Sequence, residues 1–267
     1  MNTQKTIHYT HNYLINPTNP ITVNLIGAGG TGSRMLTELA RMNHSLIALG
    51  HAGLQVNLFD DDAVTNANQG RQLFADAEVG LPKAVALINR TNRFFGTNWK
   101  AVTEQFSTAN LKCLPNRGRA NLYVSCVDTI SARFDIADFL LNCNGNSDFE
   151  RTKSLYWLDL GNAQNTGQAI LSTISEIQQP DSKLYRTVPS LPMVTDEFKE
   201  LLQAQSDKSE PSCSLAEALE KQDLFINATL ASMGASLLWK LFREGMTAQR
   251  GFFLNLGSFK TEPIMVG

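Results

Sequence analysis

The residues Gly27-Ala28-Gly29-Gly30-Thr31-Gly32 lie between a short apolar run and an amphipathic segment, and they satisfy the pattern GxGxxG. Glycines at this spacing allow a tight turn. They also let the backbone approach a phosphate, which then sits at the positive N-terminus of the following helix. A second chemical group follows at the end of the next apolar run. Asp60 comes directly after Val56-Asn57-Leu58-Phe59, and Asp61 and Asp62 follow it. A carboxylate at that place in a doubly wound sheet takes the ribose hydroxyls of a nucleotide. The same residues also fit a tight turn without a ligand and a solvated strand end.

These groups need rigid elements to hold them. The sequence predicts strands at 21–26, 54–60, 121–127, 154–160 and 168–174, with helices at 32–48, 82–95 and 130–143 between the earlier ones. Strands alternating with helices imply βαβ units and a mainly parallel sheet. A long apolar helix is expected at 224–243, followed by closing strands at 252–257 and 263–267. The expected fold is therefore α/β: a doubly wound, Rossmann-like, mainly parallel sheet flanked by helices, with a C-terminal helix and antiparallel closing strands. The expected organisation is an N-terminal arm (1–20), a nucleotide-binding core (21–180), an acidic crossover region (181–223), and a C-terminal helix with closing strands (224–267). The arm, with Pro17 and Pro20, reads as a loose lead-in or as an arm that packs on a partner.

Composition excludes several function classes. The chain of 267 residues is 43% hydrophobic and 18% charged, enough apolar content for a sizeable core. Its net charge of −2 argues against non-specific nucleic-acid binding. Residues 196–223 contain eight acids and three lysines, which adds to that argument. Cys113, Cys126, Cys143 and Cys213 form no CxxC pair, so neither a zinc ribbon nor a thioredoxin motif is expected, and they are too sparse for a disulfide scaffold. The N-terminus has no apolar signal core, and Asn227, Thr229, Ser232, Ser236 and Lys240 interrupt the longest apolar stretch. A cytoplasmic protein without a membrane span is the expectation.

The segment FDDDAVTNANQGRQLFADAEVGLPKAVALINRTN carries a more specific signal. It resembles the D-x-D-x-V-x-x-x-N-x-x-R-Q … G-x-x-K … N signature of the ThiF/MoeB/ubiquitin-activating adenylyltransferase family. The matching residues are Asp60, Asp62, Val64, Asn68, Arg71, Gln72, Gly80, Lys83 and Asn92. The family's C-x-D, with an arginine on the next helix, is matched by Cys126-Val127-Asp128 and Arg133. More narrowly, the chain looks like the ThiF-related proteins of the bacterial PRTRC cassette, through its length, its PSCSLAEALEKQDLFIN segment and its ending.

The resemblance implies Mg²⁺·ATP-dependent adenylation of the C-terminal carboxylate of a small ubiquitin-like protein, by a chain that is usually a homodimer. It implies nucleotide contacts from Gly27, Gly29, Gly30, Gly32, Asp60, Asn68, Arg71, Lys83 and Asp128, with Asp128 also the metal ligand. In the narrower setting a conjugating-enzyme-like protein and a JAB-type peptidase would be further partners. The chemistry of these side chains suits that assignment. Arginine binds phosphate oxygens bidentately, lysine supplies a compact charge, and a carboxylate is an oxygen ligand for Mg²⁺. Asn68 can hydrogen-bond phosphate or ribose.

Two departures from the family qualify the expectation. Relatives often bring an N-terminal arginine onto the γ-phosphate of the partner subunit, yet residues 1–33 contain no arginine and only Lys5 could substitute. The zinc-binding cysteine pairs of many relatives are also missing, so no zinc site is expected. Cys213 precedes the capping-box pattern Ser214-Leu215-Ala216-Glu217 in the acidic segment. It is either the thiol that takes the acyl group as a thioester or a plain loop cysteine. A tRNA-modifying cyclase of the same superfamily would need a basic face for RNA. A nucleotide-binding scaffold without turnover would keep the same pocket, and the missing N-terminal arginine suits it. A dehydrogenase would leave Arg71 and Lys83 unexplained.

Overall fold

A computed structural model describes residues 4–111, 118–143, 150–204 and 222–267. Its main sheet has eight strands. These are β2 (Ile21–Ile26), β3 (Leu54–Phe59), β4 (Lys100–Val102), β5 (Leu122–Ser125), β6 (Tyr156–Asn162), β7 (Thr166–Thr173), β10 (Gln249–Asn255) and β11 (Lys260–Met265). They lie in the order β11-β10-β7-β6-β5-β2-β3-β4. Strands β4, β3, β2, β5 and β6 run parallel. Strands β7, β10 and β11 close the sheet in antiparallel pairs. This is the α/β class expected, with the antiparallel strands on one side.

The alternation of side chains along the central strands explains why helices cover both faces. On β5, Leu122 and Val124 join one buried cluster while Tyr123 joins the other. On β6, Tyr156, Leu158 and Leu160 point one way and Trp157 the other. The first face is covered by α1 (Gly30–Ala48), α2 (Lys83–Phe95) and α4 (Ile226–Glu244), through Met35, Leu36, Leu87, Ile88, Leu230 and Leu238. The second is covered by α3 (Ile130–Cys143), through Ile136, Ala137, Phe139 and Leu140. A strand buried on both faces reads as a continuous apolar run, as β5 does with LYVS. Among the described residues no helix is long and apolar enough to cross a membrane.

The chain visits β2, β3 and β4 on one side of the sheet, then returns to β5 on the other side of β2. The carboxyl ends of β2 and β5 therefore diverge into a crevice, the place where open α/β sheets bind ligands. Gly27 ends β2 there and Cys126-Val127-Asp128 ends β5.

The N-terminal segment differs from expectation. Lys5–Tyr9 form β1, the centre of a second sheet, with β8 (Tyr185–Thr187) parallel on one side and β9 (Met246–Thr247) antiparallel on the other. The segment is not a loose lead-in; it packs on its own chain. His8 accounts for this. Its ring is fully buried, with Nδ1 2.7 Å from the Val188 carbonyl and Nε2 2.9 Å from the Tyr156 hydroxyl. The His11 amide donates to the same hydroxyl at 2.9 Å. Polar sequence hid this strand, because only Ile7 and His8 of its five residues are buried, too few for an apolar period.

The His8 ring is drawn out of water, which disfavours its charged form. Burial lowers its pKa from 6.5, only partly opposed by the bond to Val188. His11 is lowered too, first by burial, with Glu150 opposing. A group whose folded pKa is depressed charges more readily in the unfolded chain, so stability falls as pH drops through about 6.5, by at most about 1.4 kcal/mol per pH unit for each group. Thermal melts at pH 7.5 and 5.5 should show a loss at the lower pH, and His8→Gln should flatten that dependence. Equal slopes for both proteins would mean that His8 is not the titrating group.

Candidate active site

The crevice holds a cavity of about 280 Å³ lined by Gly27, Gly29, Gly30, Asp60, Arg71, Lys83 and Asp128, among others. Seven of the sequence-predicted residues thus converge on one space, although they come from positions 27 to 128 of the chain. The turn that begins it depends on backbone contact. Gly27 has φ +95°, and a Cβ there would stand 2.8 Å from the Cys126 carbonyl oxygen. A Cβ on Gly32 would stand 1.9 Å from the Gly27 carbonyl oxygen. Gly32 therefore packs the turn and does not line the cavity. Gly29 lines it, and nothing lies within 4 Å of its Cβ position. No side chain caps α1, and its first turn carries no acid, so its amide groups face the crevice without a protein anion.

Asp60 locks this turn. Its Oδ2 accepts the Ala28 amide at 2.6 Å and its Oδ1 the Asp62 amide at 3.1 Å. Burial raises its pKa, while the Ala28 bond and Lys83 oppose that shift. Lys83 is buried at the start of α2, and its Nζ lies 2.7 Å from Asp62 Oδ2. Arg71 NH1 donates to Gln222 Oε1 at 2.9 Å, and its Nε is buried without an acceptor. Asn68 lies apart from the other predicted residues. It does not line the cavity, and its Oδ1 accepts the Thr65 amide at 2.8 Å, capping the turn Asn66–Asn68.

Asp128 is exposed, and its loop is fixed from below. Arg133 NH2 donates to the Val127 carbonyl at 2.8 Å and NH1 to the Thr129 carbonyl at 3.4 Å, one on each side of Asp128. Arg133 Nε is paired with the buried Asp159 Oδ2 at 3.1 Å. The other Asp159 oxygen accepts Ser125 Oγ at 2.6 Å, and Ser125 in turn accepts from Trp157 Nε1 at 2.8 Å. Asp159, Asn162, Gln222 and Asn227 carried no local sequence signal, because each reaches the cavity or its supporting layer only when distant segments pack.

The lining has five carboxylates (Asp60, Asp61, Asp62, Asp128 and Asp135) against two cations (Arg71 and Lys83). An oligophosphate entering this space needs added positive charge. Among the described residues no group of three or more His, Cys, Asp or Glu could hold a metal alone. Asp128 with phosphate oxygens fits Mg²⁺, which is commonly bound through one or two carboxylates and the substrate's phosphates.

The cysteines divide by position. Cys126 lines the cavity, but burial, followed by the nearby Asp159 carboxylate, pushes its thiol well up. It is not an activated nucleophile. Cys113 and Cys213 lie outside the described residues. Lys5 sits in β1 and does not line this cavity.

The chain matches the ThiF family over residues 19–264. It is 28% identical over 180 residues to the ubiquitin-like modifier-activating enzyme 5 of Culex quinquefasciatus, covering 63% of this chain and 40% of that protein. Its fold is similar to the crystal structure of PaaA, with TM-score 0.59 and 13% identity, covering 92% of this chain and 64% of that one. It is also similar to E. coli MccB solved with ATP, with TM-score 0.52 and 15% identity, covering 95% of this chain and 65% of that one. The chain thus spans less than two thirds of each of these proteins.

The glycine contacts separate packing from ligand approach. Gly32→Ala should lower stability by about 3 kcal/mol or more, because the obstructing atom is backbone. Gly29→Ala should melt within a few degrees of wild type, because its Cβ meets open space. Equal melting temperatures for the two variants would refute this placement of the turn.

Proposed function

This chain belongs to the ThiF family, and from that premise we propose that it adenylates the C-terminal carboxylate of a small ubiquitin-like protein with Mg²⁺·ATP. The observation that carries the reading is the convergence of the glycine turn, Asp60, Arg71, Lys83 and Asp128 on one cavity. The similarity to a ubiquitin-like modifier-activating enzyme supports the substrate class, and the fold likeness to a protein solved with ATP supports the nucleotide.

In this reaction a carboxylate oxygen attacks the α-phosphorus of ATP. A new P–O bond forms, the bond to the β-phosphate bridging oxygen breaks, and pyrophosphate leaves with its electron pair. The products are an acyl-adenylate and pyrophosphate. No proton needs to move, so the protein's work is positioning and charge stabilisation. The open amides of α1 and the small Gly29 cradle phosphate oxygens. Arg71 and Lys83 face the charge that builds on the leaving pyrophosphate. Asp60, with both oxygens already holding the turn, reaches the ribose only through its remaining lone pairs. Mg²⁺ held by Asp128 would neutralise phosphate charge that the acidic lining opposes.

Binding and chemistry have separate tests. Calorimetry should show Mg²⁺·ATP binding and no useful affinity for NAD; NAD binding with ATP silent would sink the reading. Asp128→Ala should lower ATP–pyrophosphate exchange, measured with a ubiquitin-like protein whose tail ends in glycine, by about 10²–10³-fold. Exchange at the wild-type rate would remove Asp128 from the metal site. For the acyl acceptor we propose Cys213: Cys213→Ser should keep exchange and lose the thiol-sensitive adduct with that protein on a non-reducing gel. An adduct that stays thiol-sensitive would assign the step to another cysteine.

A further inference from the structure

Arg71 does not stand alone at the edge of the cavity. Its NH1 donates to Gln222 Oε1 at 2.9 Å, and the same oxygen accepts Asn227 Nδ2 at 2.9 Å. Asn227 Oδ1 then accepts the Thr31 hydroxyl at 2.8 Å. Thr31 is in the first turn of α1 and Asn227 in the first turn of α4, so four side chains link the phosphate-binding turn to the arginine. The link is close-packed. A Cβ on Gly30 would stand 2.6 Å from Asn227 Nδ2, so a larger residue there would displace the asparagine side chain. Gln222 is held from below as well. The next residue, Asp223, donates its amide to the Gln164 carbonyl at 2.7 Å and accepts the amides of Phe225 and Ile226 on its Oδ1.

We propose that Gln222 is the positioning residue for Arg71, holding one edge of the guanidinium so that its remaining donors face the nucleotide phosphates. The inference rests on the adenylation reading above and adds a residue that the family signature does not contain. The chemistry requires an amide. A guanidinium has five donors and no acceptor, so it needs a fixed acceptor to set its plane. The Gln222 oxygen supplies one without a negative charge. A carboxylate at this place would hold Arg71 equally well but would neutralise it toward phosphate. Arg71 Nε, buried and without an acceptor, shows that the protein does not saturate this cation itself.

The coupling has a direction. Gln222 follows the acidic segment in sequence and lines the nucleotide cavity. Its amide therefore ties the start of the stretch 222–267 to the orientation of a phosphate-binding arginine. Asn227 and Thr31 carry the same tie to the glycine turn, so the turn and the arginine are set in one frame before a nucleotide arrives.

The test is Mg²⁺·ATP affinity by calorimetry on the full chain, for wild type, Gln222→Ala, Gln222→Glu, Arg71→Ala and the double variant Arg71→Ala/Gln222→Ala. Gln222→Ala should weaken binding by about ten-fold, the usual scale for a lost hydrogen bond to a charged group. Gln222→Glu keeps the size and both accepted hydrogen bonds, so its melting temperature should match wild type while its affinity falls further than that of the alanine variant. A merely structural role would leave the glutamate variant binding as wild type. The double variant should bind within about two-fold of Arg71→Ala, because Gln222 acts through Arg71. Multiplicative losses, or Gln222 variants that bind as wild type does, overturn the inference alone. A wild-type chain that binds no ATP overturns the adenylation reading and this inference with it.

Discussion

The structure turns on a backbone contact that no side chain could tolerate. The carbonyl of Gly27 lies 1.9 Å from where a Cβ of Gly32 would be, and the Cys126 carbonyl lies 2.8 Å from where a Cβ of Gly27 would be. These two approaches bring the end of β2, the start of α1 and the end of β5 to one point. Everything that lines the cavity is placed relative to that point. The turn fixes where the open amides of α1 face, and the close approach to Cys126 fixes where Asp128 emerges. Asp60 completes the knot by accepting the Ala28 amide. A carboxylate that reads in sequence as a ligand group is thus first a structural clamp, and burial raises its pKa because that clamp is drawn out of water.

The charge of the cavity follows from the same economy of space. Strand ends at a switch point bring several carboxylates together, and here they outnumber the cations by five to two. Lys83 is already engaged by Asp62 at 2.7 Å, which leaves Arg71 as the lining cation without a carboxylate partner among the described residues. For the oligophosphate proposed above, such a lining calls for a divalent cation that the acids would help to hold. On the adenylation reading proposed above, the acidic lining favours the nucleotide's metal complex over the bare polyanion.

Legibility in the sequence followed the range of the interactions. Local signals located the glycine turn, Asp60, Arg71, Lys83 and Asp128, because turn geometry and motif spacing are written in contiguous residues. Apolar runs predicted strands β2, β3, β5, β6 and β7, because a strand buried in the sheet has little freedom in composition; the three-residue edge strand β4, exposed or half-buried throughout, gave no such run. Strand β1 and the residues that support the site escaped notice because their interactions are non-local. Strand β1 is polar and is held by His8 against Tyr156. Asn68, read as a ligand group, is taken up by its own turn through the Thr65 amide. Gln222, Asn227 and Asp159 acquire meaning only from packing between segments more than 25 residues apart, such as Asp159 and Arg133.

The buried pair of Arg133 and Asp159 shows why such residues persist despite their desolvation cost. Replacing a buried ion pair by apolar residues of the same volume is often neutral or stabilising, so stability alone does not explain it. Its geometry does. An apolar pair could fill the space but could not donate to the Val127 and Thr129 carbonyls that flank Asp128. Those carbonyls leave the sheet where β5 ends, and without donors they would seek water and let the loop drift. Asp159 is held by Ser125, and Ser125 by Trp157, so the orientation of the guanidinium is set from the centre of the sheet. The exposed Asp128 carboxylate is then carried on a loop whose position is determined by buried groups. The metal-holding role proposed for Asp128 needs that kind of support, because a rigid first contact depends on a rigid layer beneath it.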